Sequence, residues 1–185
     1  MNRKILFVSV AGLLLLAFAI GVMQFQDRKV AQQNESMRNN SNALERSGAP
    51  IKGPTDAKVT IVEFLDPACE TCRDFYPLVQ QLIDQYPGKV RVIVRYAPLH
   101  SGSDQVVKML EAARYRDKFW QALELLFAKQ NRWVVNHTSQ PMRALTLLES
   151  LHLDRERFLA DMKRSETAQV IQQDIEDGQR LNVRA

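Results

Sequence analysis

The chain opens on its longest hydrophobic run. After the positive start Met1-Asn2-Arg3-Lys4, an uncharged stretch from Ile5 to Gln26 is dominated by Leu, Val, Ala, Phe and Ile. About twenty such residues are enough to cross a bilayer, so the pattern predicts a signal-anchor or transmembrane helix over residues 1–26. Ala17-Phe18-Ala19 is a weak cleavage motif inside a run that continues through Ile20, Val22, Met23 and Phe25. An uncleaved anchor is therefore expected, with Arg3 and Lys4 on the inner side and the remaining chain outside. Residues 27–50 are rich in Gln, Asn, Ser and Arg without a sustained apolar face, which predicts a polar tether.

From residue 51 the periods change. Val59, Ile61, Val62, Phe64 and Leu65 leave neither face of a strand polar, so 59–65 reads as a central strand covered on both sides. Phe75, Leu78, Val79, Leu82, Ile83 and Tyr86 follow at helical spacing. Pro77 interrupts one hydrogen bond of that helix and bends it without stopping it, and Pro87-Gly88 ends it. Val90 to Tyr96 is a second strand, with Val90, Val92, Val94 and Tyr96 on one face and Arg91, Ile93 and Arg95 on the other. From about Asp104 to Gly178 only helical periodicity is visible, with Trp120 and Trp133 at core spacing. The class is α/β, and residues 51–185 are enough for one core.

Charge adds little. The formal net charge is +4, from 25 Lys and Arg against 21 Asp and Glu, and the signs interleave along the chain. This gives no case for nucleic-acid binding.

Cysteine usage adds most. The only two cysteines lie in Cys69-Glu70-Thr71-Cys72, where the first strand gives way to the helix. A helix starting at Cys69 points unpaired N–H groups and its positive dipole end at that sulfur, which favours the thiolate, the reactive form. Two intervening residues put Cys72 one turn away, close enough to resolve a mixed disulfide. Cys69 is the expected nucleophile and Cys72 the resolver. A structural zinc site would need about four ligands, against two cysteines and the scattered His100, His137 and His152. A purely structural disulfide would close too small a loop to restrict the unfolded chain. No metal and no cofactor is expected, and His100 reads as a loop or cap residue.

These features resemble the thioredoxin superfamily, and within it the DsbA-like thiol:disulfide oxidoreductases. The resemblance rests on Cys69-Glu70-Thr71-Cys72 at the strand-to-helix junction, on Glu63 and on Pro77. It implies a thioredoxin-like fold in residues 51–185, with a helical insertion at about 104–178. It also implies that Glu63, where the family carries a buried acid, takes the proton of Cys72 if burial raises its pKa; the alternative is a solvent-facing glutamate on a half-buried strand. Glu70 and Thr71 replace the Pro-His pair of strongly oxidising relatives. A carboxylate beside Cys69 is expected to make the dithiol more reducing.

In the family, the pattern seen at Asp177-Gly178 and Leu181 to Val183 leads into a Thr-Pro step with a cis proline. Here the last residue is Ala185 and the last proline Pro141. The cis-Pro loop, the C-terminal β-hairpin and the last helix are accordingly expected to be missing. The implied activity is disulfide exchange with cysteine-containing substrate proteins at a bacterial inner membrane, with the catalytic domain facing the periplasm. A reductase or isomerase kept reduced by a membrane redox partner, and a non-catalytic fragment or binding module, are the alternatives.

Overall fold

The computed structural model describes residues 13, 18, 20–26, 28, 29, 41 and 43–184, in two units, Met1–Asn42 and Ala43–Ala185. In the first unit residues 20–26 are helical, with Met23 and Phe25 exposed. This corrects the expected membrane-spanning helix: among the described residues no helix is long and apolar enough to cross a membrane. The remainder of the 1–26 run lies outside the described residues. Membrane anchoring, a membrane partner reached through it and an inner-membrane location lose their structural basis with that helix.

The second unit is built on a three-stranded sheet. Strand β1 (Ile51–Lys52) pairs antiparallel with β3 (Val90–Tyr96), and β2 (Val59–Leu65) pairs parallel with β3, from Val59 opposite Val90 to Leu65 opposite Tyr96. The order β1-β3-β2 makes β3 the central strand, which corrects the reading of 59–65. Among the described residues β2 pairs only with β3, and most of its side chains are half-buried. Gly53 lets the chain leave β1: its φ is +104°, and a Cβ there would lie 2.6 Å from the Val90 carbonyl oxygen. That position accepts only glycine.

Helix α1 (Glu70–Gln85) links β2 to β3 and runs through Pro77, as its apolar spacing predicts. It ends where the Tyr86 N–H reaches the Leu82 carbonyl, just before Gly88 at φ +76°. A helical block follows: α2 (Ser103–Arg114), α3 (Phe119–Ala128), α4 (Gln130–Trp133), α5 (Pro141–Leu148), a 3-10 turn (Glu149–Leu151), α6 (Arg155–Met162) and α7 (Ser165–Arg180). Val106, Leu110, Leu123, Leu126 and Trp133 pack with Val92, Val94 and Tyr96 of β3 in one apolar cluster. Fully burying a side chain of this kind contributes about 1.5–3 kcal/mol, so the helical block and the sheet stabilise each other through a shared core.

One expectation for this block needs correcting. It is not wholly helical: β4 (Val134–Val135) and β5 (Thr138–Ser139) form a short antiparallel ribbon. Its two turn residues, Asn136 and His137, have φ of +48° and +59°. Two successive left-handed residues are what a tight hairpin turn requires, and histidine at the second position, where glycine is usual, hides the signal. Asp177-Gly178, where the helical periodicity was expected to end, lies inside α7, which runs on to Arg180. A Cβ on Gly178 would sit 3.4 Å from Phe64 Cδ1, so α7 packs closely on β2 there.

Arg95 accounts for the acids carried by α7. It is fully buried in β3, and every arm of its guanidinium is used. Nε donates to Asp174 Oδ1 at 2.6 Å and Nη2 to Asp177 Oδ2 at 2.6 Å, while Nη1 donates to the Ala43 and Leu44 carbonyls. Arg46 donates to the same Asp174 Oδ1 at 2.6 Å, and the Tyr96 N–H to Asp174 Oδ2 at 2.9 Å. A buried charge persists only when paired and hydrogen-bonded, and a helix carrying Asp174 and Asp177 one turn apart meets that need.

Candidate active site

The loop between β2 and α1 sets the geometry of the dithiol. Cys69 is the N-cap of α1, with extended backbone (φ −74°, ψ 121°), and its Sγ accepts the Cys72 N–H at 3.4 Å. The sulfur thus takes the place usually filled by a Ser or Asp side-chain oxygen. Both cysteines are free thiols, each partly buried.

Asp66, a residue that the sequence did not single out, organises this loop. Its carboxylate accepts the N–H groups of Ala68, Leu99 and His100, each at 2.8 Å, and the Ser103 hydroxyl at 2.7 Å. His100 Nδ1 also lies 2.8 Å from Asp66 Oδ2. From the other side, Gln130 Nε2 donates to the carbonyls of Pro67 at 3.0 Å and Cys69 at 3.1 Å. The redox turn is therefore tied to the loop after β3 and to the helical block. An Asp just after a strand and a Gln in the helical stretch were the only sequence signals, and both residue types are common in loops and caps.

A cleft of about 360 Å³ opens at this turn, lined by Glu63, Thr71, both cysteines and His100 among others. Desolvation pushes the Glu63 carboxyl up to about 7. Burial likewise pushes the Cys72 thiol up to about 12, against a backbone hydrogen bond at Asp66 that pulls it down, with Cys69 and Glu63 adding to the rise. A partly buried thiol in need of a base and an acid able to exchange a proton near neutrality thus share one cleft.

Glu70 behaves differently. Its carboxyl is held below the usual range, first by a hydrogen bond from its own backbone and then by His137 and His100. His137 Nδ1 is 3.2 Å from Glu70 Oε2, and the His100 and His137 rings stack with centroids 6.2 Å apart. The histidines called scattered are therefore not all so: His100 and His137 meet Glu70 at the mouth of the turn, whereas His152 caps the 3-10 turn. Trp133 is core, and Trp120 is partly buried against it.

A parallel strand-helix-strand unit, a helical block packed on its sheet, and a Cys-x-x-Cys pair at the N-terminus of α1 define a DsbA-like fold. A family profile described as thioredoxin matches residues 45–185, and the chain belongs to that family.

The chain is similar to the Na(+)/H(+) antiporter NhaA 3 of Salinispora tropica, 32% identical over 129 residues, covering 68% of this chain and 19% of that protein. It spans about a fifth of the length of that relative. It is 26% identical over 178 residues to the disulfide bond formation protein D of Bacillus subtilis, covering 86% of this chain and 73% of that one. Among solved structures, a thioredoxin-like oxidoreductase from Silicibacter pomeroyi superposes with a TM-score of 0.66 at 29% identity, covering 76% of this chain and 79% of the other.

Proposed function

We propose that this protein is a thiol:disulfide oxidoreductase that exchanges disulfides with cysteine-containing substrate proteins through Cys69 and Cys72. The observation that carries the reading is the placement of Cys69 Sγ at the helix N-cap, on a cleft shared with Cys72 and a carboxyl poised near neutrality. In the oxidising direction a substrate thiolate attacks Cys69 of the Cys69–Cys72 disulfide. The S–S bond breaks, and Cys72 leaves and takes a proton from Glu63. A second substrate thiol, losing its proton, then attacks the substrate sulfur of the mixed disulfide, which expels Cys69 and reduces the enzyme as the substrate is oxidised. In the reducing direction the Cys69 thiolate attacks the substrate disulfide, breaking it and releasing one substrate sulfur as a thiol; Cys72, deprotonated by Glu63, then attacks Cys69, forming the Cys69–Cys72 disulfide as the second substrate sulfur leaves as a thiol. Glu70 and Thr71, between the sulfurs, tune the balance of the two directions.

The experiment is oxidation of a reduced test protein, and reduction of insulin, by the full chain. Cys69→Ser is expected to abolish both. Activity that survives the substitution overturns the dithiol mechanism.

A further inference from the structure

We propose that Glu70, His100 and His137 form a binding site for a divalent transition-metal ion of zinc type at the rim of the dithiol cleft. The inference stands apart from disulfide exchange, because none of its ligands is a cysteine.

Each of the three side chains offers a ligand atom, and these atoms lie within 4.8 Å of one another. They arrive from three separate places: the first residue of α1, the loop after β3 and the tip of the β4–β5 ribbon. Around a tetrahedral ion with bonds of about 2.0–2.1 Å, ligand atoms stand about 3.3 Å apart. His137 Nδ1 and Glu70 Oε2 already do so, at 3.2 Å. Closing the rest of the triangle takes movements of at most about 1.5 Å, in side chains that are at least partly exposed.

Two further observations point to a ligand. His100 Nδ1 is held by a buried carboxylate, Asp66, that also accepts the N–H groups of Leu99 and His100 and the Ser103 hydroxyl. A metal-binding imidazole characteristically gives its other ring N–H to a carboxylate, which fixes the tautomer and orients the ring. Asp66 is placed to accept that N–H from Nδ1, and the tautomer it favours leaves Nε2 with its lone pair. His137, for its part, sits at φ +59° at the turn position that glycine fills without strain. A side chain kept there costs backbone energy, and this one is placed against Glu70.

Two imidazoles and one carboxylate form a borderline donor set suited to zinc, and three protein ligands leave a coordination position open. Since His100 lines the cleft and Glu70 adjoins Cys69, an ion held here sits where substrate thiols arrive.

The test is calorimetric titration of zinc chloride into the full-length protein in thiol-free buffer, for wild type, the Cys69→Ser/Cys72→Ser double variant, Glu70→Gln, His137→Asn and His137→Gly. Asn and Gly both accept the left-handed turn, and Gly relaxes it, so loss of binding in those variants is not loss of fold. One equivalent should bind to wild type and to the double cysteine variant, with affinity falling at least about tenfold in the Glu70 and His137 variants. Failure of wild type to bind one equivalent, binding lost only with the cysteines, or binding unchanged in His137→Gly would each overturn the site.

Discussion

Arg95 and Glu63 sit on neighbouring strands of one sheet, Glu63 opposite Val94 and Arg95 one residue further along, yet the protein treats the two charges in opposite ways. Arg95 is fully buried, and it is ringed by two carboxylates and two backbone carbonyls. Glu63 is partly buried, and desolvation is the dominant influence on it, with no cation offsetting the rise. A charge whose partners are all supplied by the fold holds elements together and has nothing left to give. One left short of partners changes protonation state instead, and in a cleft beside a partly buried thiol that is chemistry. The lesson is that burial alone does not separate structural from chemical charges; the partners do.

The largest effect should come from breaking the satisfied side. Asp174→Asn leaves Arg95 and Arg46 sharing a neutral amide where both now bond a carboxylate. Breaking one partner of a buried ion pair costs about 3–5 kcal/mol, to be read as a lower urea midpoint. A loss below about 1 kcal/mol would show that the network is ornamental.

Glu63→Gln tests the other side, and its sign is opposite. The folded carboxyl titrates at about 7 against an ordinary 4.5, so between those values the unfolded chain has released its proton while the folded one keeps it. Stability therefore falls as pH rises through that window, and the full penalty, roughly 3 kcal/mol, stands above it. The Gln variant should match wild type near pH 4 and exceed it near pH 8. Equal stabilities at both pH values would mean that Glu63 is not held in a desolvated state, and its proposed proton transfer would lose its basis.

A smaller effect sharpens the comparison at the sulfurs. With its thiol pushed up to about 12, Cys72 presents little thiolate at neutral pH. Cys69 should alkylate at least about tenfold faster in the reduced protein, as timed by mass spectrometry, and comparable rates would refute the division of roles. The smallest effect belongs to charges that water satisfies. Arg155→Ala removes the exposed pair with Glu149 and should change stability by less than about 0.5 kcal/mol.

What the sequence revealed followed periodicity and local chemistry. Val59–Leu65, Glu70–Gln85 and Val90–Tyr96 lie where the patterns placed them, because their apolar spacing and the Pro87-Gly88 break are local. Cys69 and Cys72 were singled out by their spacing and Glu63 by the family resemblance, and the three line one cleft. Asp66, Gln130 and the meeting of His100 with His137 were not, since each depends on contacts between residues 34 to 67 positions apart. The pairing of Asp177 was hidden likewise: its partner Arg95 lies 82 residues away. The ribbon was lost because Asn136-His137 carries no glycine, and β2 was taken for a central strand because apolar content does not count neighbours.

One bond in the Arg95 network sets a clock. The Tyr96 N–H donates to Asp174 Oδ2, on a helix 78 residues further along the chain. Its proton can exchange with solvent deuterium only when α7 lifts from the sheet, an opening that also exposes Arg95. Fraying at the end of β3 is not enough. The Tyr96 amide should thus be among the slowest in the protein to exchange, at a rate that tracks global unfolding. In Asp174→Asn it should quicken more than its strand neighbours, which turns one backbone proton into a gauge of how firmly the last helix is held.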